Sequence, residues 1–181
     1  DTAAQPEPGR AESFITPLAT YVSGDEWAAL LKHTPYPFAH PLPPSDDTAI
    51  DGIYVKIEQG GHPHWNCRRC PDYKPEDGLW KVSFSQGVFH IYYPTSGWRS
   101  TLSYAVDGDR LELFNDPNCI DVVGRYYWHL DGGQLVLTVE DDPCSINLRA
   151  WNLTNLPWLS CQPPKVEANA TDPWLKPPGC D

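Results

Sequence analysis

The chain contains no methionine, not even at its first position. The stretch beginning at Asp1 is therefore expected to have lost an initiator and a signal peptide, which implies export to a secreted, extracellular location. Basic residues are scarce: 13 Lys and Arg stand against 24 Asp and Glu, for a formal charge of -11 and a pI near 4.8. Such a surface repels phosphate backbones and anionic lipid heads, and no Lys or Arg cluster compensates locally, so nucleic acid is excluded as a partner. No apolar run approaches the ~20 residues of a membrane helix, which excludes membrane insertion by that route. Also missing are a G-x-S-x-G elbow, an H-E-x-x-H helix, a paired-carboxylate site and a phosphate-cradling loop. No enzyme is expected, and no cofactor is called for.

What the chain does contain points to extended structure. Its 181 residues suffice for one domain with a proper core, and the 20 prolines together with 8 Trp, 9 Tyr and 5 Phe fit neither a helical bundle nor a disordered chain. Residues 1–50 are Pro-interrupted and low in alternation, with one short helix expected at 25–32, where Trp27, Leu30 and Leu31 share a face. The run TPYPFAHPLPP at 34–44 can form neither a helix nor a central strand. Residues 159–181 have the same character, so both ends read as Pro-rich arms around a core domain at 51–158.

Within that core, period-two alternation returns eight times. The inward sets are Ile53, Val55, Ile57; Trp80, Val82, Phe84; Phe89, Ile91, Tyr93; Leu102, Tyr104, Val106; Leu111, Leu113; Val122, Gly124, Tyr126, Trp128, Leu130; Leu135, Leu137, Val139; and Ile146, Leu148, Ala150. Lys56, Lys81, Arg110, Arg125, Arg149, His90 and His129 fall on the opposite, solvated faces. Ser85-Gln86-Gly87, Asp107-Gly108-Asp109 and Asp131-Gly132-Gly133 are hairpin turns. In a meander they gather at one end, while the longer connections 59–77, 94–98, 115–121 and 140–144 gather at the other, which is expected to stand open. The fold class is all-β, an eight-stranded antiparallel up-and-down barrel, of a size that fills with side chains or holds one small ligand.

This arrangement resembles the lipocalin and wider calycin architecture. The segments DGDRLELFNDPNC at 107–119, VVGRYYWHLDGGQLVLTVEDDPC at 122–144 and LPW at 156–158 more specifically look like a lipocalin-like domain of exported bacterial proteins. The resemblance implies a barrel and no particular activity. Gly52-Ile53-Tyr54 stands where lipocalins carry a Gly-x-Trp signature, and the Pro-rich residues after Trp158 cannot form the long helix that follows their last strand.

Six cysteines form an even set. The meander places Cys119 and Cys144 at the same end, Cys161 and Cys180 bracket the C-terminal arm, and elimination pairs Cys67 with Cys70. His62 and His64 precede Cys67 and Cys70 at a spacing that would suit zinc or copper, but in an exported chain a disulfide-closed surface loop is the preferred reading. Asn115, Asp116, Asn118 and Asp121 in one loop and Glu140, Asp141 and Asp142 in another would suit calcium, but Asn-Asp-Pro and Asp-Asp-Pro are ordinary turn chemistry, which is the preferred reading, and no metal is assigned. The sequons beginning at Asn152 and Asn169 are candidate glycosylation sites.

Two functions follow. In the first, a small apolar or aromatic ligand enters the open end and is gripped by Trp80, Phe84, Phe89, Tyr104, Tyr126 and Trp128. In the second, the protein is a glycosylated structural subunit that assembles with copies of itself into a filament or surface array. There the arms dock on outer-face aromatics such as Tyr54, Tyr92, Trp98, Tyr127 and Trp151.

Overall fold

A computed structural model of the chain describes residues 39–59, 73–163 and 174–180. Eight strands follow one another around a closed barrel, each antiparallel to its neighbours. They are β1 (Gly52–Glu58), β2 (Gly78–Ser85), β3 (Val88–Tyr93), β4 (Trp98–Asp107), β5 (Arg110–Phe114), β6 (Gly124–Asp131), β7 (Gln134–Asp141) and β8 (Trp158–Ser160), with one short helix, α1 (Leu148–Thr154), between β7 and β8. The hairpins expected at Gln86-Gly87, Gly108-Asp109 and Gly132-Gly133 join β2 to β3, β4 to β5 and β6 to β7. Gly132 and Gly133 both carry positive φ, 55° and 83°, the backbone of a turn whose twist matches its strands.

The interior is lined as expected along β2 to β5, by Trp80, Val82, Phe84, Phe89, Ile91, Tyr93, Leu102, Tyr104, Leu111 and Leu113. On β1 the two faces are exchanged, although Val55, also expected inward, is buried at 1 % exposure. Tyr54, Lys56 and Glu58 are each 2 % exposed, whereas Ile53 and Ile57 are 37 % and 47 % exposed. The alternation was legible but its phase was not, because Lys56 and Glu58 neutralise each other inside the barrel at 2.5 Å. Tyr54 is consequently an interior residue and not an outer docking aromatic. Trp98 and Trp151 also lean on the core, half-buried. Toward the barrel ends the inward sets fail, with Leu130 50 % and Val139 40 % exposed.

The last strand also differs from expectation. Residues 146–150 are not β8: Ile146 is 71 % exposed, and Leu148 to Ala150 open α1. Their alternation was fortuitous, since Leu148, Arg149, Asn152 and Leu153 are all buried, the spacing of a helix face. The observed β8 is three residues long; its register partners are Gln134 and Leu135 of β7 and Tyr54 and Val55 of β1.

Among the described residues, the end expected to stand open is occupied by α1. α1 crosses it, tied to the 115–121 loop and the end of β7 through Arg149 and to the end of β1 through Lys56, which donates to Asn152 O. The opposite end is covered by residues 48–51, where Ile50 is fully buried and Asp51 accepts from Gln86 N at 3.2 Å. Upstream, His40 and Asn115 exchange two hydrogen bonds of 3.1 Å.

Cys119–Cys144 and Cys161–Cys180 are both disulfides. The second fastens residues 174–180 to the outside of the barrel. There Gly179 lies so close to Leu79 that a Cβ would meet its Cδ1 at 2.5 Å. The helix expected at 25–32, Cys67, Cys70, His62, His64 and Asn169 lie outside the described residues. No described helix is long and apolar enough to cross a membrane.

Candidate functional site

The densest assembly of polar groups lies under α1, at the barrel mouth. The chain reaches it through Ser145, Ile146 and Asn147, three consecutive residues with φ of 54°, 59° and 62°. Left-handed backbone costs a non-glycine residue on the order of 1 kcal/mol, and a β-branched one more, so this turn must be held from outside. It is held at one side by the Cys119–Cys144 disulfide and at the other by Arg149.

Arg149 is fully buried, contrary to its expected solvated position. Its Nε and Nη2 donate to Asp142 at 2.7 and 2.9 Å, and its Nη1 donates to Asp116 at 2.7 Å. The remaining carboxylate lone pairs are also occupied. Tyr73 Oη donates to Asp116 at 2.7 Å, Tyr126 Oη donates to Asp142, and the backbone N–H groups of Asn118 and Cys144 donate at 2.9 and 3.0 Å. β6 passes so close that only glycine fits: a Cβ on Gly124 would meet Arg149 Nη2 and the Asp142 carboxylate at 2.8 Å. Burial opposes the charge of Arg149, yet the hydrogen bonds and charge of Asp142 outweigh it and raise its pKa. The two acidic loops considered for calcium thus hold a guanidinium. The sulfurs near Asp116 are joined to each other, and Asp116 itself is engaged by Arg149, so the trio Asp116, Cys119 and Cys144 is not a donor set as folded.

A second buried charge pair adjoins it. Lys56 Nζ lies 2.5 Å from Glu58 Oε1, 2.7 Å from Asn155 Oδ1 and 4.7 Å from the Trp158 ring, and Asn155 Nδ2 returns a bond of 2.8 Å to Glu58. Burial pushes the Lys56 ammonium down to about 8, against the upward pull of Glu58.

Four tyrosines are buried with their phenols committed. Tyr73, Tyr104 and Tyr126 donate to Asp116, Asp51 and Asp142, and Tyr54 donates to Ile50 O at 2.8 Å. Burial first, and the adjacent carboxylates second, raise all four pKa values, that of Tyr54 to about 12.

Five of the six aromatics proposed as ligand contacts, Trp80, Phe84, Phe89, Tyr104 and Tyr126, lie in one buried core cluster, and Trp128 packs against it. Phe84, Phe89 and Tyr104 pack on each other, with Phe84 centroids 4.7 Å from Phe89 and 5.2 Å from Tyr104. Trp80 stacks on Tyr93 at 4.6 Å and donates its Nε1 to Glu76 O at 2.9 Å. Tyr126 belongs to the Arg149 network. Trp128 is half-buried, and its indole Nε1 is buried without a hydrogen-bond partner among the described residues. Asn152 is fully buried, and its Nδ2, the atom a glycan would occupy, donates to Tyr73 O at 2.9 Å.

Arg149, Tyr73, Lys56, Glu58 and Asn155 were not anticipated as a site. The one available signal was Lys56-x-Glu58, two opposite charges on the same face of a strand. No protein-family profile matches the chain, and no curated protein or solved structure matches it. The fold therefore stands on its own geometry: a closed eight-stranded antiparallel barrel with one short helix.

Replacing Arg149 by Met strands two buried carboxylates and is expected to lower the urea-unfolding free energy by about 3–5 kcal/mol at neutral pH. Adding Asp116→Asn and Asp142→Asn should recover part of that loss. A loss under about 1 kcal/mol would show that the network does not hold the fold. The tyrosines predict alkaline instability. With folded pKa values raised above 10.0, the native state keeps protons that the unfolded chain releases, so their contribution is full below pH 10 and is lost as pH climbs through the folded values. Phenolate absorbance should therefore rise in two steps, the second coincident with loss of the far-UV signal of the barrel. A single step near pH 10 with the barrel intact would contradict this.

Proposed function

We propose that the protein is an exported, non-catalytic barrel of lipocalin-like build that acts through its outer surface, by contact with another protein. The observation that carries this reading is that the interior is committed to the chain's own side chains, while α1 and its Arg149 network stop the mouth. Two disulfides are compatible with the extracellular setting. The carboxylates at the mouth have their lone pairs occupied by donors, which argues against a general base there.

Self-assembly through exchanged arms is the weaker form of this reading. Residues 39–51 and 174–180 lie on the chain's own barrel, through His40 with Asn115, Asp51 with Gln86 and Gly179 with Leu79. A filament built by arm exchange would first have to release these contacts.

A small apolar ligand in the interior is the second reading, and one observation favours it. The indole N–H of Trp128, which has no partner among the described residues, is the kind of orienting donor such a ligand would use. Titration with a retinoid, a fatty acid and a pigment separates the two. The expected result is unchanged Trp emission with all three, and saturable quenching by any of them would replace the first reading by the second.

A further inference from the structure

The Cys119–Cys144 disulfide joins two loops that carry further donors, and until it closes its sulfurs are thiols. The Asp116 carboxylate and both sulfurs all lie within 4.8 Å of one another. Cys144 Sγ stands 3.8 Å from Asp116 Oδ2, and Ser145 Oγ stands 3.7 Å from Cys119 Sγ and 3.6 Å from Cys144 Sγ. Bonds of about 2.3 Å to sulfur and about 2.0 Å to oxygen around a tetrahedral zinc ion give S···O edges of about 3.5 Å and an S···S edge of about 3.8 Å. The sulfur–oxygen separations already approach those edges. Only the two sulfurs must part, and rotation of their side chains does that with the Cα atoms left 5.6 Å apart.

Electrostatics admits the ion despite the neighbouring guanidinium. The buried cluster sets one cation, Arg149, between two anions, Asp116 and Asp142. A disulfide is neutral, and two thiolates on a zinc ion are neutral together, so exchanging one for the other leaves the charge of the cluster unchanged. Arg149 Nη1 keeps its place on Asp116 at 2.7 Å, while the metal takes the corner of Oδ2 that faces Cys144, in place of the Tyr73 hydroxyl. That hydroxyl then relies on Ser100, which already interacts with it. Two thiolates with two oxygens suit zinc and not calcium or magnesium, which take oxygen alone. Cys119 is half-buried beside the exposed Asn118, which leaves a way in.

We propose that Cys119, Cys144, Asp116 and Ser145 bind one zinc ion while the two cysteines are thiols, and that the ion holds α1 in place until the disulfide replaces it. Binding changes no oxidation state: each thiol gives its proton to solvent and a sulfur lone pair to the metal, and the two oxygens donate lone pairs. Closure by a disulfide-bearing oxidant passes two electrons from the sulfurs to that oxidant, whose own sulfurs take up two protons. The Cys119–Cys144 bond forms and the ion leaves. The strained turn serves this site directly, since the φ of 54° at Ser145 accompanies a hydroxyl set against both sulfurs. The inference concerns maturation of the chain and stands apart from the exterior-contact reading.

The test uses the full chain with Cys67→Ser and Cys70→Ser, which removes competing thiols, reduced by a water-soluble phosphine that becomes its oxide. The same chain with Cys119→Ser and Cys144→Ser added is the reference, and it reports any metal held by Cys161 and Cys180. Cobalt(II) is the visible probe. The reduced protein should take up one equivalent more than the reference, with the intense visible bands of tetrahedral coordination and a thiolate charge-transfer band, and zinc should displace it. Because two protons leave, the apparent affinity should fall by up to about a hundred-fold per pH unit below the thiol pKa values. Ser145→Ala should weaken binding about ten-fold. Zinc should also return the amide signals of Leu148–Thr154 in the reduced protein to their positions in the oxidised one. Uptake equal to the reference, an octahedral spectrum without the thiolate band, or binding that leaves the α1 amides away from their oxidised positions would overturn the assignment.

Discussion

Two aspartates buried at one end of a barrel require a positive charge beside them, and the chain supplies it from a helix of seven residues. A helix this short has no stability of its own in water. It exists because Arg149 enters the space between Asp116 and Asp142, and because Leu148 and Leu153 join the core on either side. The strained turn at Ser145 to Asn147 is the backbone path that delivers Arg149, and the Cys119–Cys144 disulfide fixes its start. Taking charges out of water costs several kcal/mol per ion, so the arrangement is tolerable only because every carboxylate oxygen has a donor. Its value lies in defining where α1 sits, more than in adding net stability.

Once α1 is placed, the rest of the barrel's closure follows. The helix ends at Asn155, whose side chain is gripped by Lys56 and Glu58, and the chain is then aimed so that Trp158 to Ser160 fall between β7 and β1. The shortness of β8 reflects this route, since most of the distance along the seam is spent as helix and connector. The same short strand leaves residues 136–141 of β7 without a ladder partner on that side among the described residues, and α1 packs against β7 instead.

Much of this was legible in residues, and the misses have physical reasons. Period-two alternation and glycine-bearing turns located seven strands, because β2 to β5 obey the simple rule of apolar in and polar out. β1 broke that rule by carrying a charge pair inward, and a one-residue phase error sends every side chain to the wrong face. Ile146, Leu148 and Ala150 imitated a strand because alternation over so few residues cannot be told from the start of a helix. The pairing of Cys119 with Cys144 followed from meander geometry alone. The acidic loops were recognised as a possible cation site, but nothing in Leu148 to Ala150 announced that the cation would be Arg149, which lies far from Asp116 in sequence and meets it only after folding.

The account's central claim is that α1 is an integral stopper of the barrel and not a loosely attached cover. Native-state hydrogen exchange of the Trp151 and Asn155 amides, which donate to Asn147 O and Trp151 O at 2.9 Å, tests it most directly. The account predicts that they exchange only through global unfolding, with the same free energy as the amides of β3 and β4. Exchange of α1 through a local opening, orders of magnitude faster than those strands while the barrel stays folded, would contradict it.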